Sequence, residues 1–314
     1  MLACTAENPK EIERRTSSTT EPTTVKEVVL DSTEGPYRSF LMAIPKTNST
    51  QKGILVLLPG FGQQAKDVFL DTDFAAKGTA AGWIVVAYTG HTRMTADSFM
   101  RAKLDRVLAK TLDENKLPST IPVFIGGFSA GGVIALRYAE WCQQYPDRTP
   151  VRIRGVFMAD APVDLFHSWT LLQELKTNNY SEISVQEADM VEQFYKMYYE
   201  KTPTSDSTLF SELSPFSIDP AKGQNEQYLK GVAVRSYHDI DVNWRLKNRN
   251  QTPKYDNFIA TAELINRLNL SGNKEAEFIQ VFEKGYRRDG RRHPHSWSIV
   301  DEVECLEWMN QLIQ

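Results

Sequence analysis

Cysteine is scarce in this chain: three residues in 314, at positions 4, 142 and 305. An odd count spread so widely supplies no disulfide framework. Histidine is scarce too, with five residues, and neither type stands in a Cys-x-x-Cys or His-Glu-x-x-His spacing, so no metal site is legible. An excess of basic residues is also missing. The 36 Lys and Arg face 40 Asp and Glu for a formal net charge of -4, which leaves no basic field for nucleic acid. Nor does the sequence hold an uninterrupted apolar run of the roughly 18 residues that a membrane-spanning helix needs. No internal repeat is evident.

What the sequence does have is apolar material: 41% hydrophobic and 11% aromatic residues can bury a large core, read as one α/β domain with an insertion. The first 24 residues differ. Residues 16–24 are entirely Thr, Ser, Glu and Pro, a composition that buries too little to offset its ordering entropy, so residues 1–24 read as a flexible leader. Its start, Met1-Leu2-Ala3-Cys4, resembles the end of a bacterial lipoprotein signal, although the hydrophobic stretch that should precede the cysteine is not in the sequence. Two readings stay open. Either Cys4 is an N-terminal lipid anchor, placing the protein in the bacterial periplasm or on its membrane, or the match is accidental and the chain is cytoplasmic.

After the leader, alternating segments at 24–30 and 37–44 predict antiparallel edge strands around the Gly35-Pro36 turn. Continuous apolar strands follow at 53–58, 83–88, 122–125 and 151–158, separated by helical patterns at 65–81, 96–114 and after residue 129. This rhythm predicts a parallel sheet with helices on both faces and ligands at the carboxyl ends of the strands. It breaks over 165–230, where helical periodicity predicts an inserted lid. There Val191, Phe194, Tyr195, Met197, Tyr198 and Tyr199 either line a pocket or pack on the core. The chain closes with a strand near 231–234, a helix at 256–268, a strand at 277–283 and a helix at 298–312.

One segment carries chemistry: Gly126-Gly127-Phe128-Ser129-Ala130-Gly131-Gly132, a strand, a tight turn and a helix start in the pattern Gly-x-Ser-x-Gly. Ser129 is the candidate nucleophile, with Gly127 and Gly131 giving room for a sharp turn. A serine needs a base and an acid to act at neutral pH. His295, between the last strand and the last helix, is the preferred base over His293. Asp241 is the preferred acid in the loop after the strand that follows the insertion, with Asp239 its rival and Asp160 third. The backbone N–H groups of Ala130, at the helix start, and Phe61, in the turn Pro59-Gly60-Phe61-Gly62, are the candidate oxyanion donors.

Taken together, residues 25–314 resemble the α/β-hydrolase superfamily, through Leu57-Leu58-Pro59-Gly60-Phe61-Gly62, the elbow around Ser129, the strand-end aspartate and the late histidine. Pro59 stands where many relatives have histidine, and the acid loop is a residue shorter than the usual pattern. The resemblance implies a mostly parallel sheet with an inserted helical lid and a serine hydrolase that cleaves carboxylic esters through an acyl-enzyme without a cofactor. A peptidase or amidase, or a silent binding protein on the same fold, are the alternatives. The expected partner is a small-molecule or carbohydrate-linked ester. Arg287, Arg288, Arg291 and Arg292, just before His295, either attract an acidic group to the site or form a solvated loop.

Overall fold

The computed structural model describes residues 24–46, 51–90 and 92–314; Cys4 and residues 1–23 of the expected leader lie outside them. Among the described residues eight strands form one sheet: β1 (Val25–Val29), β2 (Ser39–Ala43), β3 (Gly53–Leu58), β4 (Trp83–Ala87), β5 (Val123–Phe128), β6 (Ile153–Ala159), β7 (Ala233–Asp239) and β8 (Ala276–Val281). Their order is 1-2-4-3-5-6-7-8. β1 pairs antiparallel with β2, and β2 with β4, while every other pairing is parallel. All residues of β3, β4, β5 and β7 are buried. Strands covered on both faces have no solvent side, which is why β3, β4 and β5 read as unbroken apolar runs; β7 is buried as fully but carries Arg235, Ser236, His238 and Asp239, so only its first residues read as a strand.

Among the described residues ten α-helices accompany the sheet: α1 (Ala65–Asp71), α2 (Phe74–Ala80), α3 (Ser98–Asn115), α4 (Ala130–Gln144), α5 (Leu165–Asn178), α6 (Glu182–Tyr199), α7 (Ser207–Leu213), α8 (Val242–Arg249), α9 (Phe258–Leu270) and α10 (Glu302–Gln311). Because alternate strand residues point to opposite faces, the core is double. Ile54, Val56, Ile125 and Met158 share one layer with Leu104, Ile134 and Leu264 from α3, α4 and α9. Leu55, Leu57, Phe124 and Phe157 share the other with Val68, Phe74 and Trp308 from α1, α2 and α10.

Three local differences from the sequence reading have physical causes. The single helix expected over 65–81 is broken at Thr72, which is extended (φ -138°, ψ 158°) and turns its hydroxyl back to donate to the Val68 carbonyl at 2.7 Å. The last helix starts at Glu302, after a short turn at Trp297–Ile299, because Asp301 caps it by accepting from the Glu304 N–H at 3.3 Å. The third is α8, in a stretch read as loop; Asp241 is its N-cap.

Between β6 and β7 stand α5, α6 and α7, followed by short turns at Pro220–Lys222 and Asn225–Leu229. Phe194 and Tyr195 of α6 are buried, with Tyr195 edge-on to Phe210 at 4.8 Å, whereas Met197 faces solvent. Further hydrogen bonds clip α6 to the segment before α3, from Tyr198 to Thr92 (2.6 Å) and from Tyr199 to Thr95 (2.5 Å) and Asp97 (3.2 Å).

Candidate active site

The sheet register assembles the site. Phe128 of β5 lies opposite Ala159 of β6, and Ala159 lies opposite Tyr237 of β7. One step further along each strand, Ser129, Asp160 and His238 stand side by side at the carboxyl edge. Backbone bonds lock this row: the Ser129 N–H donates to the Ala159 carbonyl (2.9 Å) and the Asp160 N–H to that of Tyr237 (3.0 Å).

Ser129 has φ 54° and ψ -122°. A side chain held in that region costs about 1–3 kcal/mol and persists only where its surroundings impose it. Here the imposing contact is between turns. A Cβ on Gly127 would overlap the backbone of Gly131, and a Cβ on Gly131 would overlap the carbonyl oxygens of Leu58 and Pro59. Their absence lets the elbow and the turn after β3 press together. Ser129 is part-exposed between buried Phe128 and Ala130.

The same contact sets the two expected oxyanion donors. Ala130 opens α4, so its N–H is among those a helix leaves without an intrahelical acceptor. In the turn after β3, the Gly60 N–H is taken by Gln63 Oε1 (3.0 Å) and the Gln63 N–H by the Gly60 carbonyl (3.2 Å), with Phe61 between them. The Phe61 ring packs edge-on against Phe194 of α6 at 6.0 Å.

His295 rests its ring against Phe128, the residue before Ser129, at 4.5 Å between centroids. Its Nδ1 lies 2.6 Å from Asp160 Oδ2. The other oxygen, Oδ1, lies 3.1 Å from Nδ1 of His238. A carboxylate only accepts, so both Nδ1 atoms donate, which leaves Nε2 of His295 free and Nε2 of His238 to pair with the Ser236 hydroxyl at 2.8 Å. His238 is buried and stacked on Phe278 at 5.0 Å. Burial alone would raise the Asp160 pKa, but the His295 and His238 rings outweigh it and hold the carboxyl well below the usual range. Asp160 also has φ 47°, and its carbonyl accepts from Asn257 Nδ2 at 3.0 Å.

Asp241 and Asp239 are elsewhere, which corrects the expectation that one of them meets His295. Asp241 accepts from the Trp244 N–H (2.8 Å) as the cap of α8 and from Arg292 Nη2 (2.9 Å). Asp239 accepts from the N–H groups of Glu283 (3.2 Å) and Gly285 (2.7 Å), and its Oδ2 pairs with Arg292 at 3.0 Å. Both carboxylates are spent bracing the loop that carries His295. The rival base, His293, contacts Trp244 at 4.8 Å and Arg249 Nη2 at 3.4 Å. Burial, then the charges of Arg287, His295 and Arg249, lower it to about 3.

Nothing in the sequence singles out His238, and Asp160 stands there third among the candidate acids. A findable signal existed for Asp160: it directly follows the apolar run Val156-Phe157-Met158-Ala159, at the strand edge where ligands collect. Among the described residues no group of three or more His, Cys, Asp or Glu is arranged to hold a metal ion. No helix among them is long and apolar enough to cross a membrane.

No family model matches the chain, and no curated protein matches it in sequence. Solved structures do match in shape. A carbohydrate esterase from gut microbiota, in truncated form, superposes with a TM-score of 0.62 at 14% identity, covering 94% of this chain and 98% of that one. Esterase B from Lactobacillus rhamnosis gives 0.59 at 12% identity, covering 93% and 88%. An esterase from Pyrobaculum calidifontis gives 0.58 at 16% identity, covering 93% and 85%. The eight-stranded, mostly parallel sheet with helices on both faces is the α/β-hydrolase fold.

Proposed function

We propose that the protein is a serine hydrolase of carboxylic esters, with Ser129 as nucleophile, His295 as base and Asp160 as the acid in place of Asp241. The observation that carries the reading is the 2.6 Å contact from His295 Nδ1 to Asp160, in the strand-end row that also holds Ser129 in its elbow. In this mechanism Nε2 of His295 takes the Ser129 proton as Oγ attacks the ester carbonyl, Asp160 stabilises the imidazolium, and the proton passes to the departing alkoxide. Water activated by the same ring then releases the acid and restores Ser129. The N–H groups of Phe61 and Ala130 receive the oxyanion, where the positive end of the α4 dipole adds to the effect. His238 orients Asp160 through its second oxygen. Helices α5 to α7 act as the lid, with Phe194 over Phe61.

That the structural neighbours are esterases supports the ester over the amide as substrate. The test combines fluorophosphonate labelling, mass spectrometry of the labelled peptide and turnover of short-chain p-nitrophenyl esters. Adduct on Ser129 is expected, with Ser129→Ala folding normally and losing at least about 10⁴-fold in kcat. Wild-type-like turnover in that variant would overturn the proposal, and a folded protein that neither labels nor turns over any ester is a silent binder.

A further inference from the structure

A cleft of about 790 Å³ opens beside the proposed triad, walled by Gln63 of the turn after β3, by α8 and by the loop that leads to His295. Five arginines line it: Arg249, Arg287, Arg288, Arg291 and Arg292. Three of these have carboxylate partners. Arg292 holds Asp239 and Asp241, Arg249 holds Glu187 (3.2 Å) and Arg291 holds Asp289 (2.6 Å). The cleft's other carboxylates are engaged as well: Asp67 accepts from the Gln64 N–H (2.8 Å) and Asp71 from Gln63 Nε2 (3.2 Å). Among the described residues, Arg287 and Arg288 have no carboxylate within ion-pair distance.

Arg287 is part-buried, and its guanidinium lies 5.8 Å from the centre of the Phe128 ring, the same ring on which His295 rests. Burial lowers its pKa and the charges of Arg249 and Arg291 lower it further, while the charges of Asp71 and Asp289 oppose this without cancelling it. An unpaired cation in that setting gains from an incoming anion. Because His295 delivers its proton to the departing alkoxide in the proposed mechanism, its side of the site is where the alcohol portion lies.

Resting on that esterase reading, we infer that the cleft receives a carboxylate borne by the alcohol portion of the substrate, with Arg287 and Arg288 as its partners. The test compares 4-(carboxymethyl)phenyl acetate with its methyl ester, a pair with closely similar leaving groups. Wild type is expected to favour the carboxylate in kcat/KM by about tenfold, the scale of one charge-assisted hydrogen bond, with the preference shrinking as salt is raised. Arg287→Gln should lower the carboxylate-to-ester ratio at least about fivefold, and Arg288→Glu, at an exposed position that tolerates change, should lower it further.

A ratio near one in wild type, or one that neither variant moves, overturns the inference. If wild type hydrolyses neither compound, the esterase reading is what has failed. The cleft is then tested on its own by titrating 4-hydroxyphenylacetate against 4-methylphenol: binding of the carboxylate alone, weakened in Arg287→Gln, supports the anion site, and equal or absent binding removes it.

Discussion

A carboxylate at a strand end serves as a triad acid or as a brace according to what already occupies its two oxygens. Asp160 gives one oxygen to each of two imidazoles, whereas Asp241 gives one to a helix-capping N–H and one to a guanidinium. Replacing Asp160 by asparagine puts an amide N–H₂ against one ring nitrogen that must donate, so a ring turns or changes tautomer. Asp160→Asn is therefore expected to lower kcat/KM on a p-nitrophenyl ester by about 10²- to 10⁴-fold. Asp241→Asn retains a capping oxygen and should cost less than about tenfold, with a stability loss near 1 kcal/mol. The opposite ranking would return the acid to Asp241. Of the proposed triad, Ser129 and His295 are legible in the sequence because each has a local sign, the glycine-flanked turn and the loop before the last helix. The proposed acid, Asp160, is not: chain order points beyond the insertion to Asp241, whose place at the head of Asp241-Val242-Asn243-Trp244 is that of a helix cap.

At the level of elements, the site depends on how closely the α4 start approaches the turn after β3. That approach is set by an absent side chain, since a Cβ on Gly131 would meet carbonyl oxygens of Leu58 and Pro59 rather than a flexible side-chain end. Backbone atoms cannot step aside cheaply. Gly131→Ala is expected to destabilise the protein by about 1–3 kcal/mol, as overpacking does, and to lower kcat by more than tenfold by shifting Phe61 relative to Ala130; about tenfold corresponds to 1.4 kcal/mol of transition-state stabilisation. Thermal unfolding and ester turnover on the same sample check both halves. Wild-type values in both would mean that the elbow has slack. The strands around this contact were legible as apolar runs, because burial on both faces leaves no polar position to confuse the pattern. The short helix α8 was not: it contributes no fully buried residue, so it has no apolar stripe to read.

For the whole molecule, the double core and the parallel pairing of β3 to β8 follow from the alternation of strand and helix, and the loop carrying His295 is tied down by polar contacts that no periodicity encodes. Arg292 spans Asp239, Asp241 and the Gly285 carbonyl (2.7 Å), and the His293 N–H donates to that same carbonyl at 2.9 Å. His293 makes this tether sensitive to pH. Its folded value near 3 lies below the ordinary histidine value of 6.5, so between those limits the unfolded chain binds a proton that the folded protein does not. Stability from this residue is fully present above about pH 6.5 and is lost as pH falls toward 3, with a slope no steeper than about 1.4 kcal/mol per pH unit. In His293→Gln that contribution is gone. Unfolding curves at several values from pH 7 to pH 4 should show the stability difference between wild type and variant narrowing, or reversing, as pH falls. A difference that stays constant across that range would mean that His293 is protonated alike in both states, and its burial beside Arg249 and Arg287 would then not govern its charge.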